Sequence, residues 1–167
     1  MRMTVKDLVF MAMYMAMFMA LDVIVNYYQI LQMPQGGSLG VSVIPLLICS
    51  YHLGWKKGVL SCVCAVMLMF ITGPMYTPNI LGFLLDYLFA FGVYGFASIL
   101  PNYRYFYTGV LVSNVIRYVL HVVSGMIIWQ TPLWGSLTYN FFYMAATLVL
   151  CMVMVPLLMS RISPLKR

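Results

Sequence analysis

Four residues at steps of four carry groups that could bind a small polar molecule. Arg117, His121, Gly125 and Trp129 lie in an otherwise apolar stretch, and on a helix this spacing places them on one slowly drifting face. A guanidinium, an imidazole and an indole offer charge, hydrogen bonds and a flat surface. Gly125 leaves a gap where a ligand or a neighbouring helix could approach closely. The pattern predicts one wall of a binding site.

Membrane-spanning helices must position these residues, because the composition fits no soluble domain. The chain of 167 residues is 64% hydrophobic and 7% charged, with a mean hydropathy of +0.98. So much apolar surface must face lipid, and the apolar runs are too many and too long for one signal peptide. We therefore predict an all-α integral membrane bundle, forming a single transmembrane substrate-binding domain over residues 1–167.

Turn residues divide the sequence into six predicted membrane helices. These helices cover residues 6–28, 41–53, 57–72, 79–100, 105–129 and 138–160. A membrane span needs about 20 apolar residues. The second and third helices are short by that measure, so we expect one of them to be tilted, broken or incomplete.

The basic residues fall on one side of the predicted bundle. With six helices, the two termini and the second and fourth loops share a side, and the other loops contain no Lys or Arg. The basic side carries Arg2, Lys6, Lys56, Lys57, Arg104, Arg161, Lys166 and Arg167. The positive-inside rule makes both termini cytoplasmic. Cations scattered so widely form no basic patch, so we expect no nucleic-acid partner.

A carboxylate and an imidazole are predicted to meet near the outer side. Asp86 in the fourth helix lies about 10 Å below the outer surface, and His121 in the fifth about 12 Å below it. Ionisable residues inside a membrane are costly, so Asp86 and Arg117 are candidate functional residues. They could also simply pair to fix helix packing, with His121 as a satisfied core histidine. Asn140, at the outer start of the sixth helix, is expected above them.

Further rings and hydroxyls are predicted nearby, from Tyr76, Tyr87 and Tyr139. Such a set suits a small heteroaromatic molecule, cationic or neutral, captured from outside. No phosphate-binding loop of the Gly-x-x-x-x-Gly-Lys-Ser/Thr type occurs, so uptake would need an energising partner or an ion gradient. No nucleophile or metal-ligand set accompanies His121, so we expect no enzyme activity, no metal and no cofactor.

The stretch MAMYMAMFMA near the N-terminus contains alanines at steps of four, Ala12, Ala16 and Ala20. Small residues at this spacing let another helix backbone approach closely, either within this protein or from a partner. The alternating methionines spread around all sides of a helix, so they cannot converge on a copper ion.

With these residues in place, the chain resembles the substrate-binding (S) components of energy-coupling factor vitamin transporters, most closely the thiamine-specific group. The resemblance covers nearly the whole length. It rests on Pro34-Gln35-Gly36-Gly37-Ser38, Pro45-Leu46-Leu47, Gly54-Trp55-Lys56-Lys57-Gly58, Leu84-Leu85-Asp86-Tyr87 with Ala90-Phe91, Arg117-Tyr118, His121, Ser124-Gly125, Trp129 and Tyr139-Asn140.

The resemblance implies a thiamine pocket between the fourth, fifth and sixth helices, covered by the first loop. Asp86 would bind the aminopyrimidine or balance the thiazolium, and Trp129 would stack on the ligand. The other implied pocket positions are Tyr87, Arg117, His121, Gly125 and Asn140, with Tyr76 added from its predicted position. Ala12, Ala16 and Ala20 match a motif that contacts the coupling protein.

The implied function is high-affinity capture of thiamine outside a bacterial cell, at the plasma membrane. Delivery would go to a transmembrane coupling protein with two ATPase subunits. Gly135 stands where the family has a Tyr, and Asn79 and Gly82 stand where it has a His and a Gln. A thiamine precursor or another flat vitamin is therefore an alternative ligand. A proton-coupled carrier that uses Asp86 and His121 as a relay is the alternative from a different class.

Overall fold

The computed structural model describes residues 3–72 and 75–162, and this part of the chain forms a bundle of six helices. We label them α1 (Val5–Tyr27), α2 (Val43–Leu53), α3 (Trp55–Thr72), α4 (Ile80–Ile99), α5 (Thr108–Ile127) and α6 (Leu133–Ile162). Four of the described helices, α1, α4, α5 and α6, are long and apolar enough to cross a membrane. The predicted all-α membrane bundle is confirmed. Arg2, Gly73, Pro74, Lys166 and Arg167 lie outside the described residues.

Helix α1 is closed at its N-terminus by a reciprocal cap. The Asp7 backbone N–H donates to Thr4 Oγ1 at 3.2 Å, and the Thr4 backbone N–H donates to Asp7 Oδ2 at 2.9 Å. Lys57 Nζ, at the start of α3, lies 2.7 Å from Asp7 Oδ1. The starts of α1 and α3 therefore share one end of the bundle, which is the basic, cytoplasmic end.

Helix α2 is too short to span a membrane. Its 11 residues extend about 16 Å, and every residue from Val43 to Ser50 is buried. Gly54, with φ of +89°, turns the chain directly into α3; this left-handed conformation favours glycine. Helix α2 therefore forms the centre of the apolar core rather than a lipid-facing span.

Helix α4 is not the regular helix that the sequence predicts over residues 79–100. It begins as an α-helix over Ile80–Phe83, opens into a π-helix over Leu84–Phe89, resumes as an α-helix over Ala90–Gly95 and ends as a 3₁₀ turn over Ala97–Ile99. Such π segments fit extra residues into a helix and occur frequently at functional sites. The wide turn here contains Asp86 and Tyr87, whose side chains bond to α5 and to the loop before α4.

The boundaries of α5 and α6 also differ from the prediction. Helix α5 begins at Thr108 rather than residue 105, because Asn102–Tyr103 (β1) and Phe106–Tyr107 (β2) pair as an antiparallel hairpin. Helix α6 begins at Leu133 rather than residue 138, immediately after Pro132, a residue favoured at helix starts. The prediction that Asn140 lies at the outer start of the helix is therefore wrong. It lies two turns inside, about 10 Å from that end.

Candidate ligand-binding site

A cavity of about 220 Å³ lies at the end of the bundle opposite Lys57, among residues of α1, α3, α4, α5, α6 and the loop after α1. All eight residues predicted to contact a ligand line it. They are Tyr76, Asp86, Tyr87, Arg117, His121, Gly125, Trp129 and Asn140. The structure thus brings together side chains that are up to 64 positions apart in the chain, from residue 76 to residue 140.

Asp86 lies at the centre of a hydrogen-bonded chain along one wall. His121 Nδ1 is 2.8 Å from Asp86 Oδ1, and the Ser124 hydroxyl donates to Asp86 Oδ2 at 2.5 Å. The predicted matched depth of Asp86 and His121 is confirmed. Arg117 does not pair directly with Asp86; its Nε–H donates instead to His121 Nε2 at 3.1 Å.

The hydrogen-bond partners of His121 assign the proton positions on its ring. A guanidinium only donates hydrogen bonds, so His121 Nε2 must accept from Arg117 and carries no proton. The remaining ring proton is on Nδ1, where it is donated to Asp86. His121 is therefore a neutral imidazole that connects the buried guanidinium to the carboxylate.

Arg117 is held from below by aromatic residues of α4. Its guanidinium carbon lies 4.3 Å from the Phe91 ring centroid, and its Nη1–H donates to the Tyr94 hydroxyl at 3.3 Å. The Tyr94 hydroxyl in turn donates to Asn114 Oδ1 at 2.9 Å. Cation–π contacts and directed hydrogen bonds position a buried guanidinium, so Arg117 forms a fixed floor of the cavity.

The loop between α1 and α2 covers the cavity. The Tyr139 hydroxyl, from α6, accepts from the Gln35 backbone N–H at 2.9 Å and donates to the Gly36 carbonyl at 3.0 Å. Gly36 and Gly37 have φ of +93° and +89°, and a Cβ on Gly37 would lie 2.9 Å from the Tyr143 ring. Two consecutive glycines therefore let the loop lie directly on α6.

Tyrosines 76 and 87 close the side of the cavity next to α4. The Tyr76 backbone N–H donates to the Tyr87 hydroxyl at 2.8 Å. Gln32 of the covering loop donates a long hydrogen bond, 3.5 Å, from Nε2 to the Tyr76 hydroxyl. Its Oε1 is buried and has no hydrogen-bond partner among the described residues. A buried acceptor without a partner is uncommon, so this oxygen is available to a ligand donor.

The gap at Gly125 is filled by a neighbouring helix. A Cβ there would collide with Ser136 Oγ of α6, and the Ser136 hydroxyl donates to the Val122 carbonyl at 2.9 Å. Close approach of α5 and α6 at this point aligns Asn140 with the site. Its Nδ2 donates to the Ser136 carbonyl at 2.9 Å, and its Oδ1 accepts from the Tyr143 hydroxyl at 2.5 Å.

Comparison with known proteins agrees with this geometry. Residues 12–167 match the family model described as thiamine transporter protein (Thia_YuaJ). The chain belongs to the thiamine transporter protein family. The thiamine transporter ThiT of Bacillus subtilis (strain 168) is 30% identical over 159 residues, which cover 83% of this chain and 82% of that protein.

A solved structure shows the same fold. The structure of ThiT from Listeria monocytogenes superposes with a TM-score of 0.64 over 93% of each chain, at 18% sequence identity. With the spanning helices, family membership makes this a multi-pass bacterial membrane protein with a transport role.

Eight of the polar or aromatic lining residues were not predicted from the sequence, and half of them come from α1 and the loop after it. They are Asp22, Asn26, Gln32, Ser42, Phe91, Thr131, Ser136 and Tyr143. Asp22 could have been predicted from the sequence. It is an acid within an apolar run, and an ionisable residue inside a membrane span is a candidate functional residue, as was argued for Asp86. The amides and hydroxyls carry no such signal, since polar residues near helix ends are common in every membrane protein.

Proposed function

We propose that this protein captures thiamine from outside the cell in the cavity under the first loop and delivers it to a separate energising module. The observation that carries the proposal is the polar and aromatic cavity under the first loop, at the outer end of a thiamine transporter family member. Its carboxylate, imidazole, amides and rings offer the hydrogen bonds and flat contacts that an aminopyrimidine and a thiazolium ring require.

The roles of the lining residues follow from their contacts. Asp86 Oδ2 and Oδ1 each already accept one hydrogen bond, yet a carboxylate has about four acceptor positions, so Asp86 can also accept from an aminopyrimidine. Trp129 lies two residues after the end of α5 and is 37% exposed, so its indole can stack on a ligand ring. Tyr87, Asn140 and His121 complete the walls, with Arg117 beneath them.

Thiamine binding can be tested with detergent-purified protein. We expect saturable heat in calorimetry and quenching of Trp fluorescence when thiamine is added. The chain has three tryptophans, which supply a matched control: Trp129→Phe should remove most of the quenching, whereas Trp134→Phe, at a position 78% exposed, should retain it. If only a thiamine precursor or another flat vitamin gives binding heat, that compound and not thiamine is the ligand. If none of these compounds gives binding heat, the proposal is overturned.

The alternative of a proton-coupled carrier is less well supported by the site. A relay residue must gain and lose a proton, but both ring nitrogens of His121 are engaged, one with Arg117 and one with Asp86. Uptake of thiamine into liposomes driven by a proton gradient, without any ATPase, would favour the carrier.

Docking to the energising module is proposed to use the alanine face of α1. Ala12, Ala16 and Ala20 are all exposed, whereas the buried face of α1 consists of Met11, Tyr14, Phe18 and Val25. The alanines therefore do not pack against this protein's own helices, and a partner helix can approach them closely. We infer that the partner is the transmembrane coupling protein of an energy-coupling factor module with its two ATPases.

Blocking this face should separate uptake from binding. We expect the double substitution Ala12→Trp and Ala16→Trp to abolish thiamine uptake by cells that contain the module, while purified protein binds thiamine normally. Val149→Trp, at a position 65% exposed on α6, is the control and should leave uptake unchanged. Loss of both binding and uptake in the double variant would contradict the docking role.

A further inference from the structure

The cavity wall formed by α1 carries a second carboxylate. Asp22 lines the cavity one turn before Asn26 and about 8 Å from the outer end of α1. Its Oδ1 accepts from the Ser42 hydroxyl at 3.3 Å, and its Oδ2 accepts from Asn26 Nδ2 at 3.1 Å. Both donors are neutral. Among the described residues Asp22 forms no ion pair; the close contacts between a basic nitrogen and a carboxylate oxygen found there are Lys57–Asp7 and His121–Asp86, the second with a neutral imidazole.

Counting charges shows that the cavity holds more carboxylates than counter-ions. The cavity is lined by two carboxylates, Asp22 and Asp86, and by one guanidinium, that of Arg117. His121 is neutral because its Nε2 accepts from Arg117. The cavity therefore holds one carboxylate more than it holds guanidinium groups. Asp22 is the carboxylate that is linked to Arg117 by no chain of hydrogen bonds among the described residues, because its two donors are Ser42 and Asn26.

An uncompensated carboxylate in a membrane span is costly, and a cationic ligand would remove that cost. The attraction between such a ligand and the carboxylate also strengthens binding, because a buried charge pair is screened less than a charge pair in water. A quaternary ring nitrogen has no proton to donate, so it is recognised by negative charge and by flat faces rather than by hydrogen bonds. A carboxylate held in place by two neutral donors is suited to that recognition.

We propose that Asp22 supplies the counter-charge for a cationic ligand in this cavity and thereby selects the charged ring system, while Asp86 recognises hydrogen-bond donors of the ligand. This assignment rests on the proposed function. The two carboxylates then have different roles. Asp22 on the α1 wall balances the positive charge of the ligand, and Asp86 on the α4 wall accepts a hydrogen bond from its amino group.

Two ligands separate the two roles. Thiamine carries a quaternary thiazolium nitrogen, and its thiophene analogue replaces that nitrogen with carbon and is neutral at the ring. We expect Asp22→Asn, which keeps the size and an acceptor oxygen for Ser42, to bind thiamine about 30-fold or more weakly in calorimetry. The same variant should bind the neutral analogue within about threefold of wild type. Asp86→Asn should weaken both ligands by similar factors.

Ser42→Ala is the matched control on the same wall. It removes a neutral donor to Asp22 and leaves the charge in place, so both ligands should weaken equally and by no more than about fivefold. If Asp22→Asn fails to fold, the wild-type protein still tests the proposal, because it should prefer thiamine to the neutral analogue by at least about tenfold. Asp22→Glu, which keeps the charge, should retain that preference.

The outcomes distinguish this inference from the proposed function. If wild type binds thiamine and Asp22→Asn binds it equally well, the counter-charge role is overturned while the proposed function stands. Equal loss of thiamine and the neutral analogue in Asp22→Asn would also overturn it, because Asp22 would then act through packing. If wild type binds neither ligand, the proposed function fails and this inference fails with it.

Discussion

The two ends of the bundle use acidic residues in opposite ways. At the cytoplasmic end, Asp7 caps α1 and lies 2.7 Å from Lys57 Nζ, so its charge is satisfied by the protein's own groups. At the outer end, Asp22 and Asp86 line a cavity in which the described residues offer a single guanidinium. The acid at the cytoplasmic end is therefore paired with a cation of the protein, whereas the outer end holds two carboxylates and one guanidinium.

The two ends also differ in how they are closed. Near the cytoplasmic end the Tyr14 hydroxyl is 2.8 Å from His52 Nδ1, and Phe10 meets the same ring edge to face. The outer end is covered by a loop that bonds to α6 through a single tyrosine hydroxyl and through Gly40, whose N–H donates to Thr147 Oγ1 at 2.8 Å. Among the described residues, the cover is therefore joined to α6 by three hydrogen bonds, two of which share the Tyr139 hydroxyl.

The largest expected effect comes from removing the acceptor at the outer end. Asp86→Asn replaces an acceptor of two hydrogen bonds, from His121 and Ser124, with a group that has one acceptor and one donor side. We expect thiamine affinity to fall by about 3 kcal/mol, or roughly 100-fold, as measured by calorimetry. Ser124→Ala keeps the carboxylate and should cost only about 1 kcal/mol. An unchanged affinity in Asp86→Asn would remove Asp86 from the binding site.

An intermediate effect is expected from loosening the cover. Tyr139→Phe deletes the hydroxyl that joins Gln35 and Gly36 to α6, at a cost of about 1 kcal/mol. We expect thiamine to bind roughly fivefold more weakly, with the loss in the dissociation rate measured by stopped-flow fluorescence. Tyr118→Phe makes the same chemical change at a hydroxyl that bonds to the Leu137 carbonyl outside the cavity, and it should leave the dissociation rate unchanged.

The wall contributed by α5 could be predicted because helical periodicity is local. Arg117, His121 and Gly125 needed only a helix through their apolar run to share a face, and the structure places them along the cavity. Trp129 also lines the cavity, from two residues beyond the end of α5. The predicted depth of Asp86 followed from the same geometry, since each residue advances a helix by about 1.5 Å.

What the sequence did not predict depends on contacts between distant segments. The π turn in α4 places Asp86 and Tyr87 against partners in α5 and in the preceding loop, which no local pattern encodes. The early start of α6 at Leu133 moved Asn140 from the rim to the depth of the site. Asp22 lines the cavity together with residues of the loop after α1, and its partner Ser42 lies 20 positions away.

The smallest effect on ligand binding is expected at the cytoplasmic end, and it tests whether the two ends are independent. Asp7→Asn removes the ion pair with Lys57 and weakens the cap at Thr4, so we expect a small drop in the melting temperature of the purified protein. Thiamine affinity should be unchanged, because the charge is satisfied locally and lies at the far end of the bundle from the cavity. Lys57→Gln breaks the same ion pair from the other side and should give the same pair of results. A tenfold loss of affinity in either variant would contradict the comparison, since it would show that the ion pair at one end sets the geometry of the carboxylates at the other.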